Sequence, residues 1–155
     1  MPWRTLLSAC FLIAAAVVGC QPSPGNPGEA AAIAAIEKLG GRIEVDEART
    51  DKPVIKVYLH STAVNDVDLS HLEQLQHLQS LFLGKTQITD AGLEHLRHAT
   101  NLKTLSLNAT PITDAGLQQL AGLTNLKTLN LQETKVTPKG IAELKGKLPG
   151  VTIAR

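Results

Sequence analysis

Three segments of the chain repeat at a constant spacing of 24 residues, starting at Leu78, Leu102 and Leu126. A fixed period of this length constrains the fold more than any other property of the sequence. One such unit is too small to cover its own apolar side chains, so it has to be covered by the units before and after it. The segments read LQSLFLGKTQITDAGLEHLRHATN, LKTLSLNATPITDAGLQQLAGLTN and LKTLNLQETKVTPKGIAELKGKLP. One period before Leu78 lies Val54, and VIKVYLHSTAVNDVDLSHLEQLQH fits the same frame with Val in place of Leu. The frame therefore predicts four units, at residues 54–77, 78–101, 102–125 and 126–155, the last one irregular.

Each fixed position has a physical reason. Leu81 and Leu83 are two apart and point to one face of a short strand; Leu93 and Leu96 are three apart and lie on one face of a helix. Ile88, Ile112 and Val136, with Val64 in the first unit, sit on the connection and turn inward. Thr89, Thr113 and Thr137, with Asn65 in the first unit, are placed as helix N-caps. The next column is Asp66, Asp90, Asp114 and Pro138, read as charges that suit the helix dipole and a proline that suits the first helical residue. Stacked strands about 4.8 Å apart make a parallel sheet roughly 20 Å across, with the helices outside.

The consensus L-x-x-L-x-L-x-x-T-x-I-T-D-A-G-L resembles the leucine-rich-repeat family over residues 54–153, and the I-T-D-A-G-L segment is similar to its cysteine-containing subtype. The resemblance implies an α/β leucine-rich-repeat solenoid: a short parallel β-sheet, outer helices and a concave face that usually binds a partner. Thr62, Thr86, Thr110 and Thr134 stand where the family usually has Asn or Cys, and a hydroxyl can serve the same turn backbone. Solenoid ends need caps. Ala30 to Leu39 reads as a helix stopped at Gly40-Gly41, and Arg42-Ile43-Glu44-Val45 alternates like an edge strand, which gives a helix-hairpin N-terminal cap over 29–53. Leu148 to Ile153 interrupts the frame and offers one last short strand.

The first 20 residues differ in kind. Arg4 precedes an apolar run from Leu6 to Val18, followed by Gly19-Cys20, the order of a secretory signal. The run is 13 residues, whereas a spanning helix needs about 20. Val17-Val18-Gly19-Cys20 resembles the bacterial lipobox, which implies a signal peptide over 1–19, cleavage before Cys20 and lipidation of Cys20. More than one acyl chain is needed for stable anchoring, and the multiply acylated cysteine implied by the resemblance meets that need. Gln21 rather than Asp comes next, which favours the outer over the inner membrane. Residues 20–28 are rich in Pro and Gly and read as a lipidated tether. Without Arg4, the chain balances 14 basic against 14 acidic residues, so bulk charge attracts no nucleic acid.

Function is expected between the core leucines, where strand side chains face the concave side. The candidate partner-binding residues are Lys56, Tyr58, His60, Phe82, Thr104, Ser106, Asn108, Thr128, Asn130 and Gln132. Tyr58 and Phe82 fall in one column on neighbouring strands, the residue types that anchor interfaces. Such a pair also stabilises a sheet or packs under the cap, so both readings stand. His71, His95 and His98 fall on the helical side, where three imidazoles could approach one another as in a zinc site; a solvated helix face explains them equally, and neither metal nor cofactor is expected. No nucleophile elbow, phosphate loop or H-E-x-x-H helix occurs, so no enzyme is expected. The reading is a non-catalytic envelope lipoprotein that recognises an unidentified protein or peptide, as a monomer; the alternative is a structural or spacer lipoprotein that self-associates.

Overall fold

Six strands form one sheet in chain order, and their register reproduces the sequence period. The computed structural model describes residues 27–155; the signal peptide, Cys20 and the tether up to Asn26 lie outside the described residues. The strands are β1 (Arg42–Val45), β2 (Val54–Tyr58), β3 (Ser80–Phe82), β4 (Thr104–Ser106), β5 (Thr128–Asn130) and β6 (Thr152–Ala154). β1 runs antiparallel to β2 and closes the N-terminal hairpin, while every later pair is parallel. Lys56 faces Ser80, Ser80 faces Thr104, Thr104 faces Thr128 and Thr128 faces Thr152. The inward side chains Val57, Leu81, Leu105 and Leu129 form one row at 0% exposure, with no gap between units. Ile33 and Ile36 of the N-terminal helix close this core at one end, and Leu148 and Val151 close it at the other.

The N-terminal helix α1 spans Pro27–Lys38, so Pro27 and Gly28, expected in the tether, form its first turn. Proline is favoured there because its missing N–H has no helical partner to lose. Glu29 then accepts a hydrogen bond from the Val54 amide at 2.7 Å, which ties the helix to the first repeat strand. Gly40 ends the cap helix with φ of 78°, as a left-handed stop requires.

The outer elements differ from the expected helices. In the first two units they are 3₁₀ helices, Val67–Gln74 and Gly92–Leu96. The third unit has a short α-helix, α2 (Asp114–Gln119), that tightens into a 3₁₀ turn at Leu120–Gly122; only the fourth has a longer α-helix, α3 (Pro138–Lys147). Leucine spacing accompanies the 3₁₀ turns. Leu69, Leu72, Leu75 and Leu78 are three apart, matching the 3.0-residue turn of a 3₁₀ helix, and the Leu75 and Leu78 amides bond the carbonyls three residues back at 3.0 and 3.1 Å. Leu120, Leu123 and Leu126 repeat the pattern after α2, where the Leu123 and Leu126 amides bond the carbonyls three residues back at 3.0 and 2.9 Å. In the last unit Leu144 and Leu148 are four apart, and the Leu148 amide bonds the Leu144 carbonyl at 2.8 Å, as in an α-helix.

Side-chain hydrogen bonds join each unit to the next. The Thr column behaves as expected within its own unit: Thr62, Thr86, Thr110 and Thr134 donate to Leu59, Leu83, Leu107 and Leu131 carbonyls at 2.6 to 2.7 Å. Asn101 and Asn125 reach back to the Gln76 and Thr100 carbonyls of the preceding unit, both at 2.8 Å. The aspartates go beyond the sequence expectation. Besides standing at the start of their own outer segment, they bond forward to the threonine of the next unit. Asp90 accepts from the Thr113 amide at 2.8 Å and from its hydroxyl at 2.5 Å. Asp66 holds Thr89 and Asp114 holds Thr137 in the same way. Thr113 and Thr137 cap their own helices as expected, accepting from the Ala115 and Gly140 amides at 3.3 Å; in the second unit the 3₁₀ helix starts later, so Ala91 holds the cap position, and Thr89 accepts from the Ala91 amide at 3.3 Å. The two bonds from Thr137 hold the Asp114 carboxyl below its ordinary range, hydroxyl first and amide second.

This forward bond explains the glycine of the T-D-A-G segment. A Cβ at Gly92, Gly116 or Gly140 would overlap Oδ1 of Asp66, Asp90 or Asp114, the carboxylate of the unit before. An Ala in a helix normally exceeds Gly in stability by about 0.5–1 kcal/mol. Here the sign should reverse: Gly116→Ala is expected to destabilise by about 1–3 kcal/mol, because Asp90 has to give up its bonds to make room. Asp90→Ala is expected to cost about 1–3 kcal/mol alone, and the double variant about 1 kcal/mol or more less than the sum. Urea denaturation of the four proteins measures this, and strict additivity would show that the two residues do not share this space.

Candidate functional site on the concave face

The pleat that buries Val57, Leu81 and Leu105 turns their neighbours to the concave side in three rows. The first row is Glu44, Lys56, Ser80, Thr104, Thr128 and Thr152 across the sheet; the second is Arg42, Tyr58, Phe82, Ser106, Asn130 and Ala154. His60, Gly84, Asn108 and Gln132 make up the third row, just beyond the strands. The cap strand thus contributes Arg42 and Glu44 to the face, two residues absent from the sequence-based candidates. The alternation in Arg42-Ile43-Glu44-Val45 carried the signal, since an edge strand with Ile43 and Val45 inside has to show the other two outside.

Tyr58 and Phe82 stack face to face, with ring centres 4.9 Å apart and planes within 2°. That separation equals the strand spacing, so the rings continue the sheet repeat outward. Glu44 organises the neighbouring polar groups: one oxygen pairs with Lys56 Nζ at 2.7 Å and the other accepts from the Tyr58 hydroxyl at 2.8 Å. The Glu44 carboxyl is held below its ordinary range, by Lys56 first and Tyr58 second; the Lys56 ammonium and the Tyr58 phenol are both pushed up by Glu44. The polar ends of Lys56 and Tyr58 are thus committed to the cap, and Tyr58 presents its ring to the face.

The remaining candidates divide by how far the fold uses them. Asn108 accepts from the Ser106 hydroxyl at 2.9 Å and leans over the second unit, where a Cβ on Gly84 would collide with it. Asn130 accepts from the Gln132 amide at 3.0 Å. Thr104 is half-buried, whereas His60, Thr128 and Gln132 are exposed. Lys85 follows Gly84 in a turn with φ of 57° and is exposed, another residue outside the sequence-based set. A cavity of about 360 Å³ lies against both Tyr58 and Phe82, with His60, Lys85, Ser106 and Asn108 also on its wall. A second, of about 600 Å³, adjoins it at Tyr58 and His60 and extends to Arg42 on the cap.

On the convex side His95 and His98 find separate partners. His95 Nδ1 lies 2.7 Å from Glu73, and His98 Nε2 accepts from Arg97 at 3.0 Å. Among the described residues no three His, Cys, Asp or Glu side chains converge as a metal site would require.

Tyr58 is the sole tyrosine of the chain, so its ionisation can be followed without interference. The carboxylate it donates to stabilises the neutral phenol, so the titration followed in the ultraviolet should have its midpoint above the ordinary 10.0. Glu44→Gln should return the midpoint toward that value. A midpoint identical in both proteins would contradict the hydrogen bond.

Family models for leucine-rich repeats match two stretches: a single Leucine Rich repeat at residues 74–96 and Leucine Rich repeats in two copies at residues 100–145. No curated protein matches the chain. Similar solved structures include a leucine-rich-repeat protein of Leptospira interrogans, at 21% identity over 56% of this chain and 27% of that one, TM-score 0.42. Internalin C2 of Listeria monocytogenes is similar at 21% identity over 83% of this chain and 63% of that one, TM-score 0.45. Chaetomium Mex67:Mtr2 is similar at 19% identity over 57% and 71%, TM-score 0.47. The chain spans about a quarter of the length of the Leptospira protein, 27%. With the repeat frame of the sequence, the parallel sheet in that register and the two family matches, the chain is a leucine-rich-repeat protein.

Proposed function

We propose that this chain is a non-catalytic lipoprotein of the bacterial envelope, which recognises a protein partner on the concave face of its repeats. Leucine-rich-repeat proteins commonly mediate protein–protein interaction, and the scaffold is generally a non-catalytic recognition module. The observation that carries the reading here is the stacked Tyr58–Phe82 pair beside a 360 Å³ cavity. Large aromatic surface next to an opening, ringed by polar groups, is the composition of an interface anchor. The stack also holds β2 against β3 and both rings line the cavity, so in this reading one pair serves the fold and the opening together.

The attachment to the membrane rests on the leader. A basic start, an apolar run too short to span and Val17-Val18-Gly19-Cys20 support export, cleavage and acylation of Cys20. No helix among the described residues is long and apolar enough to cross a membrane. In this reading the acyl group holds the chain at the bilayer, with the outer membrane favoured by Gln21.

Two experiments test the two halves. A photo-crosslinking residue placed at position 82 in intact cells should attach a discrete envelope protein, and Tyr58→Ala should reduce that product several-fold without shifting the unfolding midpoint by more than the lost stack explains. A second copy of this chain as the sole product would support the self-associating spacer instead, and no product at all would remove the recognition reading. Separately, Cys20→Ser should leave an uncleaved precursor or release the chain from the membrane fraction. An unchanged membrane fraction would defeat the lipoprotein assignment.

A further inference from the structure

The second row of the concave face changes abruptly in size. Tyr58 and Phe82 occupy it on β2 and β3, and the next residue, on β4, is Ser106. The stack therefore ends after two rings, and among the described residues no third ring faces Phe82. The 360 Å³ cavity runs along this step, bordered by Tyr58, Phe82 and Ser106 of this row and by His60, Gly84 and Asn108 of the third. The step along the sheet from Phe82 to Ser106 is one strand spacing, about 4.8 Å, which is also the separation of stacked rings. A planar side chain inserted above Ser106 would continue the stack in register.

Of the charges near this step, the one carboxylate is already paired and two cations are not. Glu44, the carboxylate at the adjoining end, is already shared between Lys56 and Tyr58. Lys85 lines the cavity and Arg42 lines the adjoining one, and neither is in an ion pair among the described residues. His60 borders both cavities and is exposed. Lys85 beside Phe82, and Arg42 beside Tyr58 at the other end of the stack, select an occupant that brings both an aromatic ring and carboxylates.

We infer that the concave face takes an acidic-aromatic segment of its partner protein, with an aromatic side chain stacked on Phe82 above Ser106 and flanking carboxylates turned to Lys85 and Arg42. This rests on the recognition reading and names the chemistry of the segment recognised.

The test uses the full chain purified in detergent and three acetylated, amidated pentapeptides: Gly-Asp-Trp-Asp-Gly, Gly-Lys-Trp-Lys-Gly and Gly-Asp-Ala-Asp-Gly. Binding is followed by NMR on the ring protons of Tyr58 and Phe82. The acidic tryptophan peptide should bind about tenfold or more tightly than the lysine peptide, the ratio expected from two exposed ion pairs, and the alanine peptide should leave the ring signals unmoved. Lys85→Glu should erase or reverse the charge preference; Glu133 already occupies the equivalent turn position with φ of 57°, so the backbone accepts this residue type. Ser106→Phe should fill the step with the chain's own ring and abolish peptide binding while the unfolding midpoint stays or rises, which separates a blocked site from a damaged fold. Equal binding of the acidic and basic peptides, full binding to Ser106→Phe, or no ring shift with any peptide would overturn the inference. If a partner is still crosslinked from position 82 in those cases, only the proposed chemistry fails and the recognition reading stands.

Discussion

A carboxylate that hydrogen-bonds the next unit's helix cap is the contact on which the register of this solenoid depends. Asp90 satisfies the Thr113 amide and orients the Thr113 hydroxyl, and that hydroxyl oxygen accepts from the start of α2. The bond is strong because the acceptor is ionised and both of its oxygens are used. It is also directional. Hydrophobic burial alone would tolerate some sliding of one flat unit on another, but a two-point bond between residues 23 apart fixes their offset. The glycine two positions beyond each threonine's aspartate neighbour belongs to the same contact, since it supplies the room into which the preceding carboxylate fits.

With the register held on the convex side and the core filled by leucine, the concave rows carry little of the burden of stability. Ser80, Thr104 and Thr128 occupy one row, and Phe82, Ser106 and Asn130 another, with no common size or polarity beyond fitting a strand. The exception lies at the N-terminal end. There Glu44 gathers Lys56 and Tyr58 and binds the cap hairpin to the first unit through charge and hydrogen bond. The face is thus graded, from a rigid, aromatic end beside the cap to a small, polar end at β5. Pre-organised anchors lose less side-chain freedom on binding than mobile ones, so the rigid end is where affinity is best placed.

Much of this was legible in the sequence, and the parts that were not have identifiable causes. The strand columns, the inward Ile and Val of the connection and the threonine column derive from periodicity and recur in three or four copies, while the single hairpin showed in the local alternation of Arg42-Ile43-Glu44-Val45. The direction of the aspartate bond was hidden because a carboxylate after an N-cap is explained equally well by the helix dipole; only the glycine, otherwise unfavourable inside a helix, hinted at a second role. The 3₁₀ character of the outer segments was present in the strict three-residue spacing of Leu69, Leu72 and Leu75, but a spacing of three also suits an α-helix. The left-handed turns at Ser61, Lys85, Ala109 and Glu133 carry no glycine to announce them, so nothing in the residue types pointed to Lys85 projecting beside Phe82. Glu44 escaped notice for a different reason: its partners are Lys56 and Tyr58 on another strand, and pairing across a hairpin is set by register, which a turn of irregular length does not disclose.

The same contact accounts for where the repeat becomes irregular. The first unit has no aspartate before it, and at the position that is glycine in the later units it carries Asp68, which accepts from the Asn65 amide of its own unit at 2.9 Å. The donor that Asp66, Asp90 and Asp114 satisfy elsewhere is there satisfied from within, and no space is needed for an incoming carboxylate. The fourth unit keeps Gly140 because Asp114 still reaches it, but has Pro138 in the aspartate column and so offers nothing forward. Glycine is therefore retained where a carboxylate arrives and aspartate where one is required next, which makes each departure from the consensus a consequence of position in the stack. The departures at Asp68 and Pro138 mark the two ends of one hydrogen-bonded series, and the cap, held by Glu29 on the Val54 amide, begins where that series does not reach.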